Sequence, residues 1–213
     1  MNTDIVAYYA ARAKEYEKIY DKPERQGEIG DLTTLFQNIF PGKEVLEIAC
    51  GTGYWTERIA KVAASVHSTD INEPVIEIAR SKTYEKANVT FKVADMFTYE
   101  STEAESLFGG FIWSHIKIQE LDKFIDTVNN FVKPGGIVVF VDNNYTEGSS
   151  SPLSSTDEHG NTYQARVLEN GDTYSVIKNF PTEETFKKVL EGKAEKIKFI
   201  SLKYYWMVMY HRK

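Results

Sequence analysis

The stretch that decides the fold runs from Glu47 to Thr56 and reads EIACGTGYWT. It follows a short apolar run and leads into a segment with helical spacing. Gly51 and Gly53 have no side chain, so the backbone around them can turn tightly and approach a ligand closely. The N-terminus of the following helix would offer unpaired N–H groups to an anion. A plain strand-to-helix turn would also explain two glycines, so this stretch alone leaves both explanations open.

Composition limits the class of protein. The chain has 213 residues, 42% of them hydrophobic, which suits one folded domain rather than a disordered chain. A net charge of −6 makes the protein a poor partner for nucleic acid. Cys50 is the only cysteine, so an intrachain disulfide is excluded. No apolar run approaches the roughly 20 residues of a membrane span, and the N-terminal sequence lacks the apolar segment of a signal peptide. We therefore expect a cytoplasmic protein that does not enter a membrane.

Strands and helices are predicted to alternate through the middle of the chain. Two helices, at residues 4–20 and Ile29–Phe40, come first. Five strands joined by helices indicate a parallel sheet with right-handed crossovers. The predicted strands are Val45–Ala49, Ser65–Thr69, Val89–Ala94, Phe111–Ser114 and Ile137–Val141, and the helices between them are Trp55–Ala64, Glu73–Ser81 and Gln119–Val132.

The last third of the chain departs from this alternation. The segment Asn143–Phe180 is a long insert, in which Asn170-Gly171 between two alternating runs predicts a β-hairpin. A helix is predicted at Thr182–Leu190, with Thr182 as its cap. Two strands, Glu195–Leu202 and Tyr204–His211, follow it almost without a connection. A connection that short cannot cross a sheet, so these two strands must be antiparallel.

Taken in order, these features resemble the class I S-adenosylmethionine-dependent methyltransferases. EIACGTGYWT is similar to the family's first motif, whose common form is E/D-x-G-x-G-x-G. Asp70 ends the second predicted strand and Asp95-Met96 follows the third, where the family places acidic residues. The turn Lys133–Gly136 and the terminal antiparallel pair also match. The resemblance covers most of the chain, and Tyr54-Trp55 resembles a subset that acts on small molecules.

The resemblance implies a fold and a domain plan. The fold is a Rossmann-like α/β structure: a doubly wound seven-stranded sheet, mostly parallel with a reversed C-terminal strand, and helices on both faces. One methyltransferase domain would span residues 1–213. Residues 1–40 would form a helical lid, and the hairpin in 143–180 would lie over the active site.

The resemblance also implies S-adenosyl-L-methionine as cofactor and S-adenosyl-L-homocysteine as product. A carboxylate suits the ribose hydroxyls, hence Asp70, and the adenine amino group, hence Asp95. Asp70 could instead cap the following helix, and Asp95 could be a turn residue. Ala49 stands where the family has its first glycine, and we interpret it as a tolerated variant. The residues expected to bind the cofactor are Glu47, Ala49, Cys50, Gly51, Gly53, Trp55, Asp70, Ile71, Asp95, Met96, Ser114 and Tyr16.

One histidine is a candidate catalytic group. His115 follows the predicted fourth strand and should face the cleft, where it could act as a general base. A histidine packed at a strand end is the alternative. No metal site is expected, because the consecutive residues Asp157, Glu158 and His159 rarely point toward one ion.

The sequence thus predicts methyl transfer to a small-molecule acceptor by in-line displacement. The expected partner is that small molecule, without nucleic acid or membrane, in a monomer or homodimer. A protein or RNA methyltransferase remains open, although Trp113–Ile116 stands where an Asn-Pro-Pro-Tyr motif would be. A nicotinamide-dependent oxidoreductase also remains open, although Thr56 occupies the position of its third glycine. A non-enzymatic cofactor-binding protein would share the fold but lack a substrate pocket.

Overall fold

The structure is a computed structural model that describes residues 3–85, 88–100 and 103–213. Residues 1 and 2 of the expected lid lie outside the described residues. Ten strands occur in chain order: β1 Glu44–Ile48, β2 Ser65–Asp70, β3 Val89–Val93, β4 Ala104–Gly110, β5 Val132–Asn143, β6 Ser155–Thr156, β7 Thr162–Val167, β8 Thr173–Ile177, β9 Ala194–Ser201 and β10 Tyr205–Arg212.

Six α-helices accompany them: α1 Thr3–Arg12, α2 Gln26–Ile39, α3 Tyr54–Ala60, α4 Glu73–Ser81, α5 Leu121–Asn130 and α6 Glu183–Leu190. The predicted helix over 4–20 is divided, because α1 gives way to a 3-10 helix at Ala13–Tyr20. Further short 3-10 helices lie at Pro23–Arg25, Trp113–His115 and Ile118–Glu120. In the described part of the chain, no helix has the length and apolar character needed to cross a membrane.

Seven strands form one sheet in the order β3-β2-β1-β4-β5-β10-β9. β10 is antiparallel to both of its neighbours, and the pairs among β1 to β5 are parallel. The predicted doubly wound sheet with a reversed C-terminal strand is therefore confirmed. The order along the sheet reverses between β1 and β4, which is where ligands bind in folds of this type.

Both faces of the sheet are buried under helices. In β1, Leu46 packs in the cluster that contains Phe124 of α5, whereas its neighbour Val45 packs in the cluster that contains Phe36 of α2. Because successive side chains of a strand point to opposite faces, one apolar run supplies both cores. The same two-sided burial explains the continuous apolar run Ile137–Val141 in β5.

The predicted fourth strand, Phe111–Ser114, is wrong. The strand is Ala104–Gly110, and Phe111 has a φ of +61° before the 3-10 turn at Trp113–His115. A Cβ on Gly109 would lie 2.5 Å from the Phe140 ring. The glycine is needed so that β5 can pack closely, and it does not end the strand.

The insert and the tail fold largely as predicted. β7 and β8 pair antiparallel around Gly171, whose φ is +88°, and β6 adds a third strand to this small sheet. Thr182 caps α6, and its hydroxyl accepts a bond from the Thr185 N–H. The predicted turn before β5 is instead an irregularity within it, because the register with β4 shifts there.

Candidate functional site

A cavity with about 730 Å³ of empty space, part of it open to solvent, lies at the carboxyl ends of β1, β2, β3 and β4. α1 closes it from above through Ile5, Val6 and Tyr9. Among the residues predicted to bind a cofactor, the lining includes Ala49, Gly51, Asp70, Ile71, Met96 and Tyr16, and the predicted base His115 also lines it.

The loop after β1 has an unusual backbone. Ala49, Gly51 and Gly53 all have positive φ, at +52°, +56° and +80°. At Ala49, this left-handed backbone conformation explains why a glycine would suit the position. Close packing of neighbouring strands is not needed to explain it. A Cβ on Gly53 would lie 2.6 Å from the Tyr84 hydroxyl, so this glycine is required for packing as well as for its φ. Gly53 does not line the cavity, and it precedes α3 directly.

Asp70 joins the loop after β1 to the turn after β2. One carboxylate oxygen accepts a bond of 2.9 Å from the Gly51 N–H, and the other accepts a bond of 2.9 Å from the Asn72 N–H. Burial raises the pKa of the carboxyl, against the effect of these bonds. Asp70 therefore makes the turn contact that was the alternative in the sequence, and it also faces the cavity.

Glu47 lies beneath the loop and not in the cavity lining. Its Oε2 accepts bonds from the hydroxyls of Thr56, at 2.5 Å, and Ser68, at 2.7 Å. Glu47 is 1% exposed, and burial raises the pKa of its carboxyl to about 7. This side chain ties β1, β2 and α3 together, so any effect on a ligand would act through the loop.

The far side of the cavity is apolar. Ile71, Met96 and Ile112 line it, which suits a flat ring better than a charged group. The Asp95 carboxylate does not reach it, and accepts a bond of 2.9 Å from the Phe97 N–H. In this arrangement Asp95 acts as a turn residue beside the cavity.

Three other predicted binding residues lie outside the lining. Cys50 is buried, and burial raises the pKa of its thiol. Trp55 is 4% exposed and packs edge-on against Phe36. The Ser114 hydroxyl accepts a bond of 2.6 Å from Lys178, whose ammonium also pairs with Asp142 at 2.7 Å. These side chains support the walls of the site.

His115 is held between α1 and β8. Its Nδ1 lies 2.6 Å from the carbonyl oxygen of Ile177 at the end of β8, and its Nε2 lies 2.7 Å from the hydroxyl of Tyr9 in α1. Burial and the nearby Lys178 charge lower the pKa of His115 far below its usual range. The imidazole is therefore neutral, and sequence reasoning had not identified its partner Tyr9.

A second cavity of about 620 Å³ adjoins the first. Tyr9, Tyr16 and Phe111 line both. Its wall is rich in cations that come from distant parts of the chain, so no local motif indicated it.

Comparisons with known proteins agree with this geometry. Residues 45–136 match the family model described as a methyltransferase domain. Phosphoethanolamine N-methyltransferase 1 of Zea mays is 27% identical over 134 residues, which cover 61% of this chain and 25% of the maize protein. Malonyl-[acyl-carrier protein] O-methyltransferase 2 of Ilyobacter polytropus is 31% identical over 101 residues, which cover 45% of this chain and 38% of that protein. The chain thus spans about a quarter of the length of the maize relative and well under half of the bacterial one.

Solved structures share the fold over nearly the whole chain. A complex of DhpI with SAM and HEP superposes with a TM-score of 0.81 at 23% identity, covering 98% of this chain and 96% of the other. The magnesium protoporphyrin IX methyltransferase of Synechocystis PCC 6803, with bound SAM, superposes with a TM-score of 0.68 at 15% identity, covering 99% of this chain and 96% of the other. At these identities the likeness establishes the fold.

Proposed function

Because the chain belongs to the class I S-adenosylmethionine-dependent methyltransferases, we propose that it transfers a methyl group from S-adenosylmethionine to a small-molecule acceptor. The observation that carries this proposal is the cavity at the switch point of the sheet, closed by α1 and joined to a second cavity. An enclosed space of this kind suits a small acceptor better than a protein or RNA chain.

The residues around the first cavity fit the cofactor. Asp70 presents a buried carboxylate suited to ribose hydroxyls, and Ile71 with Met96 provides an apolar slot suited to adenine. Ala49 and Gly51 bring bare backbone to the wall, where N–H and carbonyl groups suit an amino-acid end. We propose that Glu47, Cys50, Gly53, Trp55, Asp95 and Ser114 contribute indirectly, by supporting this wall.

When bound, S-adenosylmethionine supplies an electrophilic methyl group on a positive sulfur, which the acceptor's lone pair attacks in line. The chain's own part is to align the acceptor and exclude water. Water would be excluded by Tyr9 of α1 and Tyr16 of the 3-10 helix that follows, both of which lie between the cavities. Tyr16 is buried, which raises the pKa of its hydroxyl to about 12, so it remains neutral.

We propose that His115 receives a proton when the acceptor is a hydroxyl, because an oxygen that gains the methyl group becomes acidic enough to give its proton to an imidazole of lowered pKa. A carbonyl oxygen can only accept, so Nδ1 carries the ring proton and Nε2 is free to accept one. The Tyr9 hydroxyl lies between Nε2 and the cavity junction, and would pass the proton on. Tyr9 is thus the group that touches the acceptor, and His115 is the base behind it.

The cellular location, the oligomeric state and the lack of a nucleic-acid partner are also proposals. We infer a protein that acts in the cytoplasm as a monomer or homodimer and does not bind nucleic acid. The net charge of −6 supports the last point.

The test is calorimetric titration with S-adenosylmethionine, S-adenosylhomocysteine and NAD in parallel, on the wild type, Asp70→Ala and Asp70→Asn. We expect micromolar binding of both sulfur compounds, at least tenfold weaker in the Asp70 variants, and no binding of NAD. Asp31→Ala, at an exposed carboxylate on α2, is the matched control and should bind as wild type. Binding of NAD alone, or of none of the three, would overturn the proposal.

A further inference from the structure

The second cavity gathers positive charge in an acidic protein. Five cationic side chains line it, although the chain as a whole carries −6. One lies in α1, two lie in the segment before α2, one lies in β7, and one directly follows β8. They are Arg12, Lys22, Arg25, Arg166 and Lys178.

Most of these cations have only neutral partners. Lys22 donates to the carbonyl of Ser149 at 2.6 Å, and Arg166 donates to the Ser151 hydroxyl at 2.9 Å. Arg25 donates to the Asn143 side-chain oxygen at 2.9 Å. The ion pair of Lys178 with Asp142 is the only one that the five cations form with the carboxylates the structure describes.

Uncompensated charge of this kind costs free energy in a closed space. Burial, with the Arg25 charge beside it, lowers the pKa of Lys22. Arg25 itself is 6% exposed and stacks over the rings of Tyr204 and Tyr205. A fold that gathers five cations, with one carboxylate in direct contact and Glu24 near Lys22, is suited to receive an anion from outside.

We propose that this cavity binds a phosphate or phosphonate group on the methyl acceptor. The inference rests on the proposed function, because the cavity joins the first one through Tyr9, Tyr16 and Phe111. An acceptor anchored here by its anion would extend its other end toward that junction. Four cations beyond Lys178, with the hydroxyls of Ser149 and Ser151 between them, suit a tetrahedral dianion better than a single carboxylate.

The test uses small probes and does not depend on turnover. Calorimetry at low salt would measure binding of methylphosphonate, inorganic phosphate and acetate to the whole chain, with S-adenosylhomocysteine titrated separately. The variants are Lys22→Gln and Arg166→Gln. The control is Lys61→Gln, which removes one exposed positive charge at the end of α3. Arg25 is left intact, since its stacking makes it part of the fold.

We expect methylphosphonate and phosphate to bind at least tenfold more tightly than acetate. Each cavity variant should weaken this binding at least tenfold, whereas Lys61→Gln should leave it unchanged. Binding of S-adenosylhomocysteine without any phosphonate or phosphate binding would overturn this inference and leave the proposed function standing. Equal or tighter binding of acetate, or wild-type binding by both cavity variants, would also overturn it. Phosphonate binding without S-adenosylhomocysteine binding would overturn the methyltransferase proposal, and with it the role as acceptor site.

Discussion

The hydroxyl of Tyr9 donates to Nε2 of His115 across 2.7 Å, and this bond joins the lid to the loop after β4. The two rings meet edge-on, with centroids 5.4 Å apart. Tyr9 lines both cavities, whereas His115 lines only the first. A proton that leaves an acceptor at the junction would therefore meet Tyr9 before His115.

The variant His115→Gln tests whether His115 acts as a base or only packs in the site. Glutamine can accept the Tyr9 bond through its oxygen and donate to the Ile177 carbonyl, but it cannot take up a proton. If His115 is the base, kcat for a hydroxyl acceptor should fall about 100-fold or more. The measurement is kcat across pH, with the melting temperature and S-adenosylhomocysteine affinity as controls that should not change.

Tyr9→Phe is the companion variant. It keeps the ring in the lid and removes the hydroxyl that would carry the proton, so it should lower kcat for the same acceptors. Turnover of His115→Gln equal to wild type at every pH would end the base hypothesis. Because the lowered pKa keeps His115 neutral, the wild type should show no loss of activity near pH 6.5 from this residue.

The sequence predicted the sheet and the near wall of the first cavity, because both depend on local signals. Gly51, Asp70 and Met96 lie at or just after the ends of β1, β2 and β3, and each of these strands was predicted from its own segment. Because the strands are parallel, the three residues were expected at the same edge of the sheet. The fourth strand was predicted at Phe111–Ser114 but is Ala104–Gly110, where Gly109 makes room for Phe140 of β5, a long-range contact that the local sequence does not show. The second cavity could not be predicted. Arg12 and Arg166 meet there only because the insert docks against α1, a long-range contact without a sequence signal.

Ala49→Gly should be neutral or slightly stabilising. Removing a left-handed alanine relieves roughly 1–2 kcal/mol of strain, and the added freedom of the unfolded chain offsets about 0.5–1 kcal/mol of it. Ala60→Gly, in helix α3 with ordinary backbone, is the contrast and should cost about 1 kcal/mol. Urea unfolding of both variants measures the difference. A loss of stability in Ala49→Gly as large as in Ala60→Gly would show that φ at Ala49 is not strained.

Gly53→Ala should destabilise the protein more than Gly42→Ala. Both glycines have left-handed φ, at +80° and +67°, so both variants should lose roughly 1–2 kcal/mol from the backbone alone. Only at Gly53 does the new Cβ meet neighbours, at 2.6 Å from the Tyr84 hydroxyl and 3.1 Å from the Ala79 Cβ. At Gly42 no described neighbour lies within 4 Å. The difference between the two unfolding free energies measures the crowding, and equal losses would contradict it.

The buried carboxyl of Glu47 should make stability fall as pH rises. Its pKa is raised to about 7 in the folded protein from an ordinary value of 4.5, so between these values the folded state holds more of the proton than the unfolded state does. The unfolding free energy therefore decreases across this window, by on the order of 2–3 kcal/mol for this group. His115, whose pKa is lowered, contributes the opposite slope, with stability rising until its unfolded-state pKa near 6.5 is passed. The two slopes overlap, so the wild type alone cannot separate them.

Glu47→Gln isolates the carboxyl, because the amide oxygen can still accept from Thr56 and Ser68 but does not titrate. The difference in unfolding free energy between wild type and variant should shift in favour of the variant from pH 4.5 to pH 7 and stay constant above it. Urea unfolding at half-unit steps of pH measures it. The control is Glu57→Gln in α3, at a partly exposed carboxyl, measured in the same way. A constant difference for Glu47→Gln over this range would mean that its carboxyl is already ionised in the folded protein at pH 5.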